Sequence, residues 1–179
     1  MSIRAIVICI FFLLPNCVVA QHRKRAHPEG QTTFAAETRV KRLVRIPGTI
    51  RRRISLEYKD APGRVGFMKE LVASHVFLDN NKSPELLVQG PLGANVTTFR
   101  LYRNSRGQWQ EMFKDSALGL SIDRHLTRGY NDIGTAAATA VELFGAEYKF
   151  NGRKYVATTC YKEPLGVEKP KRTYFKCSE

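Results

Sequence analysis

The chain has 179 residues, a net charge of +13 and four cysteines, which leaves room for one domain with a single modest core. It contains no Gly-x-Ser-x-Gly elbow, no glycine-rich phosphate loop and no HExxH segment, so the common hydrolase, nucleotide-binding and zinc-protease signatures are excluded.

In the first twenty residues Arg4 precedes an apolar run over residues 5–14, Pro15 and Asn16 break it, and Val18, Val19 and Ala20 follow. This pattern predicts a secretory signal peptide ending at Ala20. The alternatives are a membrane anchor, although a spanning helix needs roughly 20 apolar residues and Pro15 interrupts this run, and a lipoprotein with Cys17 as lipid acceptor, although Pro15 and Asn16 are poor neighbours for that. No transmembrane segment is expected after cleavage, and the location is read as secreted or periplasmic. Cys9 and Cys17 leave with the signal, and Cys160 and Cys177 remain. In an oxidising compartment this pair reads as a disulfide, whose loop restricts the unfolded chain by about 3 kcal/mol.

Residues 21–46 read as a basic flexible leader and residues 47–179 as one mainly β domain. Between residues 21 and 53 stand ten Lys and Arg against only Glu29 and Glu37. Such an arm attracts polyanions, or it serves simply as a solvated, solubilising segment. The expected partners are therefore a polyanionic polymer or a protein. Export disfavours nucleic acid.

Pro47 at a first helical position, with Ile50, Ile54 and Tyr58 at spacing four, predicts a short helix over about residues 48–58. Its arginines Arg51, Arg52 and Arg53 lie mostly off the apolar stripe and are candidate anion contacts. Ala61, Pro62 and Gly63 break that element. Two apolar runs, residues 71–78 and 86–88, flank a polar turn at 79–84 and predict strand, turn, strand. His75, inside the first run, reads as a hydrogen-bonded core or interface residue. Alternation on both sides of Asn104, Ser105, Arg106 and Gly107 predicts a second antiparallel pair over residues 96–103 and 109–114. Leu118, Leu120 and Ile122 mark one face of the next strand. Residues 134–145 read as loop plus strand. Asn151–Gly152 predicts a two-residue hairpin loop, pairing Tyr148 with Tyr155, Ala146 with Ala157 and Glu147 with Val156.

Chemistry-bearing candidates are few. Asp79, Asn81, Ser83 and Glu85 place oxygen donors at every second position across the first turn, a pattern suited to calcium when several oxygens converge; otherwise it is a plain structural turn. Calcium is the one cofactor this suggests. Arg100, Arg103 and Arg106, beside aromatic residues such as Tyr102, Trp109 and Tyr130, form either a stacking platform for sugars or bases, or ordinary strand and core residues. Arg100, Arg103 and Trp109 are retained as binding candidates. His125 beside Asp123 and Arg124 offers a base and an orienter, but adjacent residues on a strand point to opposite faces, so no catalytic residue is assigned and no enzyme is expected.

The run from Asp79 to Val88 resembles the Asp/Asn loops of FG-GAP-type and related secreted bacterial β proteins. It departs from them at Phe77, Asn81 and Lys82. The segments around Phe99–Arg103, Gly129–Ile133 and Tyr148–Val156 look like those of small exported bacterial domains, some relatives of which inhibit lysozymes. A lysozyme inhibitor must meet a basic enzyme, and the charge here has the opposite sense.

The expected fold is mainly β (α+β), an antiparallel sheet or small sandwich of about six to eight strands with one short N-terminal helix. The expected role is a non-enzymatic binding module, with an envelope-associated enzyme inhibitor or a purely structural envelope protein as the alternatives.

Overall fold

The computed structural model describes residues 32–35, 44–79, 83–93 and 96–177. The predicted signal peptide and most of the predicted basic leader lie outside the described residues. What is described is mostly strand, arranged in two antiparallel sheets with two helices.

The helix α1 spans Gly48–Glu57, and Pro47 caps it rather than opening its first turn. Ile50 and Ile54 are its buried residues, as their spacing predicts. A second helix, α2 (Arg64–Glu70), follows the Ala61–Pro62–Gly63 break. Sequence reading misses it because seven residues give barely two turns of pattern. Tyr58 and Phe67 stack across the break with ring centroids 4.1 Å apart, so tertiary contact supplies what local propensity does not.

Strands β2 (Val72–Val76), β3 (Glu85–Gln89), β4 (Thr97–Ser105) and β5 (Gln108–Ala117) form a four-stranded sheet in chain order. Both predicted hairpins, β2–β3 and β4–β5, are present. Strand β3 is buried along its whole length, because this sheet is covered on both sides. Leu86, Val88 and Tyr102 pack with Ile50 and Ile54 of the helix layer, whereas Leu87, Phe99 and Leu101 belong to the core shared with the second sheet. A bulge beside Leu101 and Tyr102 lets the consecutive residues Met112 and Phe113 both enter that shared core. His75 is exposed on β2, an edge strand, which corrects its reading as a core residue.

The second sheet has the order β1-β6-β7-β8-β9-β10, built from β1 (Thr32–Ala35), β6 (Gly119–Thr127), β7 (Tyr130–Ala138), β8 (Glu142–Phe150), β9 (Tyr155–Pro164) and β10 (Thr173–Phe175). The ten strands among the described residues exceed the expected six to eight for two reasons. Four residues assigned to the flexible leader pair with β6 as β1, and residues 134–145 are the end of β7, a tight turn and the start of β8 rather than a loop and one strand. There the Thr139 hydroxyl accepts the Glu142 N–H at 3.1 Å, turn chemistry that the alanine-rich composition conceals.

The Asn-Gly turn exists in a longer form than predicted. The Asn151 N–H donates to the Lys154 carbonyl at 3.0 Å, and its side-chain oxygen accepts from both Arg153 and Lys154. Phe150 therefore pairs with Tyr155, Lys149 with Val156 and Tyr148 with Ala157. The expected register is displaced by two residues. The disulfide Cys160–Cys177 is formed and pins β10 to the edge of β9.

Candidate anion-binding cleft

Three hairpin tips gather at one end of the sandwich. At the β4–β5 tip Arg106 (φ 52°) and Gly107 (φ 83°) are both left-handed, and at the β6–β7 tip Arg128 (φ 53°) and Gly129 (φ 81°) repeat the pattern. Two left-handed residues give the hairpin turn whose twist matches the flanking strands. Glycine adopts this backbone freely, but a side chain with a Cβ and no local hydrogen bond pays about 1 kcal/mol. Among the described residues, Arg106 and Arg128 are the two non-glycine residues with positive φ. Both occupy positions that Asn, Asp or Gly would fill more cheaply.

The β8–β9 tip stands between the other two. On one side the Arg128 guanidinium donates to the Asn151 carbonyl at 2.6 Å, and a Cβ on Gly152 would lie 3.3 Å from it. On the other side Asn151, Arg153 and Lys154 face Ser105 and Arg106 across a cleft of about 1030 Å³. Helix α1 closes the cleft through Arg53, which donates to the Trp109 carbonyl at 3.4 Å. The indole of Trp109 is half-buried and packs against the helix-side core.

The cleft is electropositive. Arg53, Arg106, Arg153 and Lys154 line it with one acid, Glu111. That carboxylate already accepts the Tyr102 hydroxyl at 2.7 Å and Arg100 at 3.0 Å. Among the described residues, the charged ends of Arg106, Arg153 and Lys154 have no hydrogen-bond or ion-pair partner. Gln108, Gln110, Ser105 and Asn151 add uncharged hydrogen-bonding groups along the wall.

The other sequence candidates are placed elsewhere. Arg100 is 2% exposed and grips Glu57 at the end of α1 with two hydrogen bonds, of 2.7 and 3.0 Å. Those contacts raise its pKa further against the opposing effect of burial. Arg103 turns inward, donating to the Tyr130 hydroxyl at 3.2 Å and to Gln110 at 3.3 Å, with its guanidinium near the Tyr130 and Phe150 rings. Arg51 ties α1 to α2 by a 2.9 Å bond to the Met68 carbonyl, and Arg52 lies beside it around a shallower depression of about 560 Å³. Of the six basic and aromatic candidates, only Arg53 and Trp109 share the cleft. Arg153 and Lys154 were missed because cross-sheet proximity has no local signal.

The described residues of the acidic turn have separate surroundings. Glu85 is 2% exposed; its carboxylate accepts the Leu78 N–H at 3.0 Å, clamping the hairpin, and burial raises its pKa. Asp79 bridges to Tyr130 in the other sheet, Ser83 is exposed, and Asn81 lies outside the described residues. Among the described residues no group of three or more His, Cys, Asp or Glu side chains is arranged to hold a metal.

The His125 backbone N–H donates to the Asp123 carboxylate at 3.4 Å, but the imidazole has a different partner. Its Nδ1 lies 2.7 Å from the Asp132 carboxylate, across the β6–β7 hairpin. The Arg128–Gly129 turn was the signal for this pair, because a two-residue turn there sets residue 125 opposite 132. No helix among the described residues is long and apolar enough to cross a membrane. Compared with family models, curated proteins and solved structures, the chain matches none.

Proposed function

We propose that the protein is an exported, non-enzymatic binding module whose cleft between α1 and the β4–β5 and β8–β9 tips takes a polyanion. One observation carries this reading: Arg53, Arg106, Arg153 and Lys154, from three separated parts of the chain, converge around Trp109, and Glu111, the one acid among the described residues lining the cleft, is already paired. Like charges gathered without counter-charges repel one another, and an anion relieves that repulsion while the partly buried wall strengthens its attraction. The signal-like N-terminus and the disulfide support a secreted or periplasmic location.

The test is calorimetric titration with heparin as a generic polyanion over a series of salt concentrations. Binding should weaken steeply with salt. Reversing the cleft charges in Arg53→Glu/Arg153→Glu/Lys154→Glu should lower affinity by about two orders of magnitude and flatten the salt slope. Unchanged affinity and slope in this variant would refute the assignment of the cleft.

A further inference from the structure

The geometry points to an acidic glycan, a sugar chain carrying sulfate or carboxylate groups, as the ligand, running out of the cleft over all three hairpin tips with Arg106 and Arg128 as its outer contacts. This rests on the reading of the cleft as an anion site. Three observations extend it.

The first is backbone conformation. Arg106 and Arg128 are held left-handed at the first position of two separate Arg-Gly turns, where fold stability alone favours Asn, Asp or Gly. Strain of this kind persists where the surrounding structure enforces it and commonly marks function. Its cause here is a shared requirement for a long cation at each tip.

The second is continuity. The bond from Arg128 to the Asn151 carbonyl joins the β6–β7 tip to the β8–β9 tip, which forms one wall of the cleft, while Arg106 stands on the opposite wall. A small anion would sit within the cleft without reaching Arg128, which does not line it. A chain bearing charges at intervals engages Arg106, Arg153 and Arg128 in succession.

The third is the chemistry of the wall. Ser105, Gln108, Gln110 and Asn151 stand among the cations with a single indole. Hydroxyl-rich rings supply donors and acceptors to amides and one apolar face to an aromatic ring. Single-stranded nucleic acid is held instead by several aromatic side chains on which successive bases stack.

The experiment measures binding of the purified protein to a heparin-derived octasaccharide, to oligothymidylate of matched charge and to phosphatidylglycerol vesicles. The variants are Arg106→Gly, Arg128→Gly and the triple cleft reversal. The octasaccharide should bind tightest of the three probes. Each glycine variant should weaken it by about fivefold, the loss expected for one exposed ion pair. Arg106→Gly should also melt about 2–4 °C higher, because the strain is relieved and no bond of the side chain is lost. Arg128→Gly gives up its bond to Asn151, so binding is its readout.

Octasaccharide affinity unchanged in both glycine variants, while the cleft reversal abolishes binding, would overturn the path over the tips and leave the anion cleft standing. Tighter binding of oligothymidylate or vesicles would overturn the glycan assignment. Failure of the wild-type protein to bind any of the three probes would remove the underlying reading itself.

Discussion

Arg100 and Arg106 lie six positions apart on one hairpin and have opposite fates. Arg100 points to the helix side of the sheet, where Glu57 and Glu111 consume its charge and only 2% of the residue is exposed. Arg106 sits at the tip in a costly backbone conformation and, among the described residues, pairs with nothing. One arginine joins α1 to the sheet, and the other presents charge outward. Residue type is therefore a poor guide to role in this basic chain, and partnership is a better one.

The largest expected effect falls on the buried arginine. Arg100→Ala leaves two carboxylates facing each other and should cost about 3 kcal/mol in urea unfolding, toward the low end for a broken buried pair because Glu57 and Glu111 are partly exposed. The same change at Arg106 should not destabilise. Equal losses in the two variants would erase the distinction between them.

Next comes a second inward-facing charge, Glu85. Glu85→Ala strands the Leu78 N–H and opens space in the core, for about 2 kcal/mol. Glu85→Gln keeps an acceptor and removes a buried carboxylate whose pKa burial has raised, so it should be neutral or stabilising at pH 7. A large loss in the Gln variant would show that the charge itself is required there.

Stability against pH reads the same network. The hydrogen bond from Arg100, with help from Lys114 and against partial burial, lowers the Glu57 pKa from 4.5 to about 2. A depressed carboxylate stabilises fully above its unfolded value, so its contribution should be intact above pH 4.5 and fade as pH falls toward 2. Burial and the Asp115 carboxylate push Tyr148 up to about 12, with the opposite sign: its contribution is intact below pH 10 and is lost as pH rises through 12. Chemical unfolding across both limbs should show the acid limb flattened in Arg100→Ala and the alkaline limb unchanged.

The smallest effect is expected from the leader. Deleting residues 21–31 removes Arg23, Lys24 and Arg25 but stops short of β1 and the cleft. It should lower the salt slope for heparin by less than the triple cleft reversal does. A larger drop would move the main anion site from the cleft to the leader.

Local pattern made much of the fold legible. Spacing of four at Ile50 and Ile54 located α1, and alternation around residues 79–84 and 104–107 located two hairpins. The even pair of cysteines outside the predicted signal, Cys160 and Cys177, pointed to the disulfide. The Asn-Gly register failed because Asn151 caps a four-residue turn with its own side chain, and α2 was missed because its stability comes from contact with α1 rather than from its own sequence.

The sequence by itself determined the strand content, the first helix and a basic surface, since periodicity and charge are properties of neighbours along the chain. Only the tertiary structure decided which arginines are spent and which remain available. That choice depends on Glu57 reaching across 43 residues to Arg100, and on the tips at residues 106, 128 and 153 meeting at one end. Electrostatic partnership acts through space, so no reading of adjacent residues could have separated them.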